Sequence, residues 1–314
     1  MTSIAHRFPL KRSSVVVMCA LMAHLTVAEA VTIPLVPLQA INSAEPNIMM
    51  ILDDSGSMQW EAMPDEITYI DYLYPRPSNL YGGSTYGNVA VDTRSTNRYA
   101  RLLRSAGVNK VYYDPTITYI PWSNPDGSLW PNAVPTAALN NPANAARGTR
   151  NLTIDLTEYS DWRNDSSTST GDQTYYPATY FNYNGGGIWN AGSYTRVQIR
   201  PANAPFPKAA SRTDCAGTTC TYDEEIKNFA NWYTYYRSRI LTARAGIGRA
   251  FALQGNNVRV GFGAINKDST TVDGVSTSTI ILGVRQFSGT DRDTFFNRLY
   301  NWTIPTSGTP LRQA

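Results

Sequence analysis

The sequence predicts an α/β layered fold, and three observations predict it. A continuous apolar run, "IMMIL" at residues 48–52, has the pattern of a strand buried on both faces, as strands of parallel sheets are. Residues 221–255 then carry apolar side chains at three- and four-residue spacing, the stripe of an amphipathic helix packed on a core. After it, "VRVGFGAI" (258–265) and "STIILGV" (278–284) read as strands ahead of a further helical stretch. Strand, helix, strand, strand, helix is the order of an α/β layer architecture.

In chain order, the first segment reads as an export signal. Arg7, Lys11 and Arg12 make a basic start, residues 15–27 are mostly apolar but too short to span a bilayer, and Ala28-Glu29-Ala30 supplies small residues for cleavage. Residues 1–30 are therefore expected to be a secretory signal peptide. A membrane anchor is the other reading, and His24 and Thr26 interrupt the apolar run it needs. Without this segment the formal charge of +3 falls to about +1, because Arg7, Lys11, Arg12 and Glu29 leave. No nucleic-acid partner is expected, and the membrane enters only through export. The 20 tyrosines against 9 phenylalanines, with only 16% charged residues, fit an exported, surface-facing protein.

Both histidines, His6 and His24, also lie in the signal. The mature chain then has no histidine for a Ser/His or Cys/His nucleophilic pair or a His-based zinc site, and no enzyme is expected. Of three cysteines, Cys19 leaves with the signal. Cys215 and Cys220, in "CAGTTC", are expected to close a small loop as a disulfide; zinc is the weaker reading because a second ligand pair is missing.

Residues 31–57 read as a linker, the first strand and the loop after it. Residues 58–221 are an insert rich in Tyr, Asn, Gly, Pro, Ser and Thr. Its "NKVYYDPTITYIPW" and "YTRVQIRP" are strand candidates, and "NDSSTSTGDQ" is a candidate for disorder in a stretch whose aromatics otherwise argue for order. Residues 222–314 form the remainder of the α/β unit. There Thr221 and Glu224 have capping-box spacing, and Ile226, Phe229, Tyr233, Tyr236, Ile240, Ile247 and Phe251 predict one long helix ending at Gly255. Thr290 opens a shorter helix carrying Phe295, Phe296 and Leu299, and Pro305 ends it.

The chemistry concentrates in Asp53-Asp54-Ser55-Gly56-Ser57, where the first strand stops. Alternation lets Asp53, Ser55 and Ser57 face one point while Asp54 faces another. One carboxylate with hydroxyls and waters suits magnesium, a hard cation of octahedral preference; manganese and calcium are the alternatives. The place fits too, since open α/β sheets bind ligands at the carboxyl ends of their strands. D-x-S-x-S alone is a weak pattern. Thr309, in the late "SGTP", strengthens it by offering a further hydroxyl on a glycine-opened loop, so the expected metal ligands are Asp53, Ser55, Ser57 and Thr309. Asp53 and Asp54 point opposite ways and make no glycosidase pair, and neither a nucleophile elbow nor a phosphate loop occurs.

"MMILDDSGSM" followed by "SGTPL" resembles the metal-ion-dependent adhesion site (MIDAS) of von Willebrand factor A domains. The resemblance implies a doubly wound sheet whose cation keeps a coordination position for a partner's carboxylate. Its third element, an aspartate after a later strand, has no counterpart before Ala314, so the expected unit is an A-like sheet truncated at its C-terminal side, with a large β-rich insert after its first strand. The family can be narrowed. "NKVYYDPTITYIPW" and "CTYDEEIKNFANWYTYYRSRILTARAGIGRAF", with "TPLRQA" after them, resemble the N-terminal part of the type IV pilus tip adhesin and biogenesis family, PilY.

That resemblance implies a metal-dependent adhesion and pilus-biogenesis role, export to the periplasm and cell surface, and a place at the pilus tip. Minor pilins and a carboxylate-bearing ligand on a host cell or abiotic surface are the implied partners. The family's C-terminal β-propeller with its calcium loop has no counterpart in these residues. A second binding reading needs no metal and places glycan or minor-pilin contacts on the aromatic insert, where Tyr112, Tyr113, Tyr119 and Trp122 form either a surface or the insert's own core. Because the insert must leave and return near the metal face, the Cys215–Cys220 loop is expected to pin the junction.

Overall fold

A computed structural model of the chain describes residues 45–64, 67, 71–85 and 87–310. The expected signal peptide and Cys19 lie outside the described residues. Among the described residues, no helix is long and apolar enough to cross a membrane.

The chain begins with β1 (Asn47–Leu52) and runs through a single 3-10 turn at Gly56–Gln59 into the insert. The insert holds β2 (Asp71–Tyr72), β3 (Val89–Val91), α1 (Arg98–Leu103), β4 (Ala138–Leu139), β5 (Thr149–Arg150), β6 (Leu156–Arg163), β7 (Thr168–Tyr175), β8 (Thr179–Tyr183), β9 (Tyr194–Gln198), β10 (Phe206–Pro207) and β11 (Thr219–Cys220). Then come α2 (Tyr222–Tyr235), α3 (Arg239–Ala252), β12 (Arg259–Ala264), the hairpin β13 (Thr270–Val272) and β14 (Val275–Thr277), β15 (Ile280–Gln286) and α4 (Gly289–Asn301). The result is mixed α/β with several small sheets.

The sheet that positions the candidate loops has the order β1-β12-β15. β1 runs parallel to β12 in unbroken register from Asn47↔Arg259 to Leu52↔Ala264, and β15 runs antiparallel on the far side of β12. A parallel neighbour requires a crossover. Here the crossover comprises the whole insert with α2 and α3. On one face Leu52, Val260 and Phe262 pack against Leu241, Ala245, Phe295 and Leu299 of the helices.

The expectation that β1 is buried on both faces is corrected. Met49 and Ile51 are 37% and 38% exposed. They lie opposite Gly261 and Gly263, which carry no side chain to cover them.

The single long helix is also corrected. α2 stops at Tyr236, whose φ of −137° leaves the helical region, and Ser238 caps a new helix by accepting from the Leu241 N–H. Side chains hold the break in place. Arg237 is buried and pairs with Glu61 at 3.2 Å, while Ser238 Oγ meets the Tyr81 hydroxyl at 2.9 Å. The apolar periodicity runs through although α2 packs mainly into one apolar cluster and α3 into another, which is why the sequence alone does not reveal the interruption.

Within the insert, β2, β3 and β6 are parallel neighbours and β7 pairs antiparallel with β6. The candidate disordered stretch thus lies at the tip and return strand of the β6–β7 hairpin. "YTRVQIRP" contains β9, paired with β8. Residues 109–122 form no extended strand, contrary to expectation. Their backbone is satisfied by asparagines of α2 instead: the Tyr119 N–H donates to Asn228 Oδ1 at 2.8 Å, Asn228 Nδ2 donates to the Ile117 carbonyl at 2.8 Å, and Asn231 Nδ2 donates to that of Tyr119 at 3.0 Å. A side-chain ladder of this kind replaces sheet pairing without violating the rule that buried backbone groups be bonded.

Two apolar cores result. The first joins the insert to α2 through Tyr112, Tyr113, Phe229 and Trp232, and the second joins β1, β12, α3 and α4 to Leu80, Tyr81 and Trp122 of the insert.

Candidate metal-binding loops at the carboxyl end of the sheet

Where β1 ends, Asp53 turns its Oδ1 back to accept the Ser55 N–H at 2.9 Å. That turn brings the Ser55 and Ser57 hydroxyls to 3.1 Å from each other. An octahedral cation with Mg–O bonds of about 2.1 Å places neighbouring ligand oxygens about 3 Å apart, so the two hydroxyls are spaced as adjacent vertices. One carboxylate beside two hydroxyls is also a hard-oxygen set of the kind magnesium prefers. The fit is therefore good in both chemistry and spacing. Among the described residues, no group of three or more His, Cys, Asp or Glu side chains that could hold a metal ion gathers, at this loop or elsewhere, so the candidate set here relies on hydroxyls.

The loop carrying Thr309 is latched onto this turn. The Gly56 N–H donates to the Ser307 carbonyl at 2.8 Å, and Gln59, itself buried, donates from Nε2 to the Ile304 carbonyl at 3.1 Å. Thr309 itself is exposed. The Gly56–Ser307 backbone bond thus brings together the two segments that the sequence singles out, 53–57 and 307–309, and the Gln59 side chain ties down the chain just before the second.

Asp54 does something different. Its side chain is 1% exposed, with Oδ1 accepting from the backbone N–H of Asn266 at 2.9 Å and from Asn266 Nδ2 at 3.1 Å, and Oδ2 accepting from Trp302 Nε1 at 2.8 Å. Asn266 also donates from Nδ2 to the Gly308 carbonyl at 3.0 Å. Gln59, Asn266 and Trp302 were not predicted from sequence. No spacing marks them, and their roles appear only when β12 and α4 are packed against the loop after β1.

The sulfurs of Cys215 and Cys220 are bonded, as expected, and both residues are buried. The ring abuts α2. Glu224 accepts from the N–H groups of Ala216 and Thr221, each at 2.8 Å, while the Thr221 hydroxyl accepts from the Glu224 N–H, completing the capping box. Those N–H groups, and the Thr221 hydroxyl, hold the Glu224 carboxyl below its ordinary pKa.

The aromatics weighed for surface recognition are interior. Tyr112, Tyr113 and Trp122 are each 1% exposed and Tyr119 is buried too. The three tyrosines lie in the first core, and Trp122 stacks on Tyr300 of α4 in the second, ring centroids 4.6 Å apart. Among the described residues, Trp189 and Tyr159 are the aromatics that face outward, at 52% and 71% exposure.

By sequence the chain is a relative of the type IV pilus biogenesis factors. The particular relatives are PilY1 of Pseudomonas aeruginosa: 29% identical over 307 residues in strain PAK, 28% over 315 in strain PAO1 and 29% over 298 in strain UCBPP-PA14. These alignments cover 94%, 94% and 91% of this chain but 22%, 22% and 21% of the relatives, so the chain spans about a fifth of the length of the curated relatives it matches. No family model matches the chain, and no solved structure matches it.

Proposed function

We propose that the chain is a divalent-cation-dependent binding module of a type IV pilus biogenesis factor, exported and displayed at the pilus tip. The carrying observation is the pair of serine hydroxyls 3.1 Å apart beside Asp53, with the Thr309 loop latched to the same turn. In this reading Ser55, Ser57 and Thr309 hold magnesium, or manganese or calcium in its place, and Asp53 orients on it directly or through water. The bound cation supplies a Lewis-acidic position for a carboxylate on the partner. The chain's own part is to hold hydroxyls and carboxylate at the strand end so that little ordering is left for the moment of binding.

The sheet supports the finer assignment to an A-like fold: β1 parallel to β12 and β12 antiparallel to an edge strand β15 is an order compatible with one half of a doubly wound sheet. Similarity to PilY1 along most of the chain supports the pilus context, with minor pilins or a carboxylate-bearing surface as partners. Calorimetric titration with magnesium, manganese and calcium tests the reading. Binding by the wild type, its loss in Asp53→Ala and weakening in Thr309→Ala are expected, whereas equal binding by wild type and Asp53→Ala removes the site. A pull-down of minor pilins with and without chelator then separates cation-dependent contacts from assembly contacts.

A specific observation favours a second, metal-independent reading. The indole of Trp189 meets Tyr99 edge-on at 6.4 Å, and the Arg98 guanidinium lies 5.7 Å from it, an outward aromatic and cationic ledge suited to stacking on a sugar ring. Trp189→Ala should abolish chelator-resistant adhesion if this ledge recognises the ligand, and leave adhesion unchanged if the cation does.

A further inference from the structure

The cation reading leaves Asp54 unused, yet Asp54 is the most heavily bonded side chain in the loop. Three N–H groups converge on it from two elements: two from Asn266, just past β12, and one from Trp302, which caps the C-terminus of α4. Both donors also bear on the segment that carries Thr309. Trp302 begins that segment, and Asn266 holds it by the Gly308 carbonyl. Asp54 stands between Asp53 and Ser55 in the chain, so the donors that anchor its carboxylate also anchor the stretch of backbone that carries both neighbours.

We infer that Trp302 and Asn266 are positioning residues for the cation site: acting through Asp54, they hold the Thr309 loop in register with Ser55 and Ser57 and so set the affinity for the ion. This rests on the cation-dependent reading above. A buried carboxylate that loses a donor must find another, and in a loop the readiest way is to rotate out toward water. Rotation releases the anchor on the turn that carries Asp53 and Ser55 and loosens the hold on residues 302–308. Sites that must be matched to within about half an ångström lose binding steeply when their supporting groups slacken.

Magnesium titration of the full chain tests it, with the melting temperature of each variant measured in chelator. Trp302→Phe keeps the ring and removes the donor; an affinity about tenfold weaker than wild type is expected. Asn266→Ser should act in the same direction and carries the measurement should Trp302→Phe fail to fold. In a double-mutant cycle, Trp302→Phe added to Asp54→Ala should weaken binding little beyond Asp54→Ala alone, since Asp54→Ala already removes the acceptor of the Trp302 bond. Thr221→Ala, far along the chain in the α2 cap, should lower the melting temperature without changing affinity. If Trp302→Phe and Asn266→Ser lower the melting temperature but bind magnesium as the wild type does, the two residues are merely structural and the inference is overturned. Additive losses in the cycle overturn the route through Asp54. A wild type that binds no cation overturns the functional reading itself, and the inference with it, a result distinct from either of the others.

Discussion

Asp53 and Asp54 are neighbours in sequence with opposite fates, and the difference was legible. Side chains alternate at a strand end, so a local rule separates the carboxylate beside Ser55 from the one beneath it. The partners of Asp54 were not legible, because Asn266 and Trp302 stand 212 and 248 residues away and only packing brings them near. The same holds for Glu61. Its carboxylate accepts the Leu73 N–H at 2.8 Å and pairs with Arg237, with side-chain exposures of 1% and 2%. Removing one member of such a pair strands a buried charge, so Glu61→Ala is expected to cost about 3–5 kcal/mol in urea unfolding, well beyond an exposed ion pair such as Arg285–Asp273. A loss below about 1 kcal/mol would mean that water reaches Arg237.

Among the elements, the start of α2 was read correctly because a capping box is a short-range signal: Thr221 and Glu224 are three residues apart. The end of the predicted helix was misread because the break depends on Glu61 and Tyr81, far away in sequence. Thr221→Ala should cost about 1 kcal/mol. Glu224 adds a pH dependence. Its pKa is lower folded than unfolded, so its stabilisation is present above the unfolded carboxylate value, about 4.3, and is lost as pH falls through the lower folded value. Acid unfolding followed by circular dichroism should therefore be less steep in Glu224→Ala than in the wild type. The crossing of α3 and α4 offers a contest of effects. Gly248→Ala gains helix propensity of about 1 kcal/mol, but its Cβ would lie 2.9 Å from Cζ of Tyr300. Tyr300 cannot yield, since it stacks on Trp122 and donates to the Ser123 carbonyl at 2.6 Å. Overpacking wins, and the variant is expected to be about 1–2 kcal/mol less stable in thermal melts.

At the scale of the whole molecule, the composition and the strand-helix order made the α/β character legible, while the mixing of insert and sheet was not. Nothing in a run of tyrosines says which core receives them. Trp232 of α2 packs on Tyr112 with ring centroids 4.7 Å apart, Phe229 on Tyr113 at 5.0 Å, and Trp122 crosses into the core of the sheet. The insert is therefore part of the folding unit of the sheet, not an appendage. Deleting residues 58–221 should abolish cooperative unfolding in calorimetry, and the intact chain should melt with coincident near- and far-ultraviolet transitions; two separated transitions would show the insert to be autonomous. The sulfur ring before α2 has a consequence for handling the protein. Both half-cystines are enclosed in the first core and the ring feeds directly into the helix cap, so a host cytosol that keeps thiols reduced would deliver chains lacking that clamp. Soluble yield should accordingly favour secretion into an oxidising space over cytoplasmic expression.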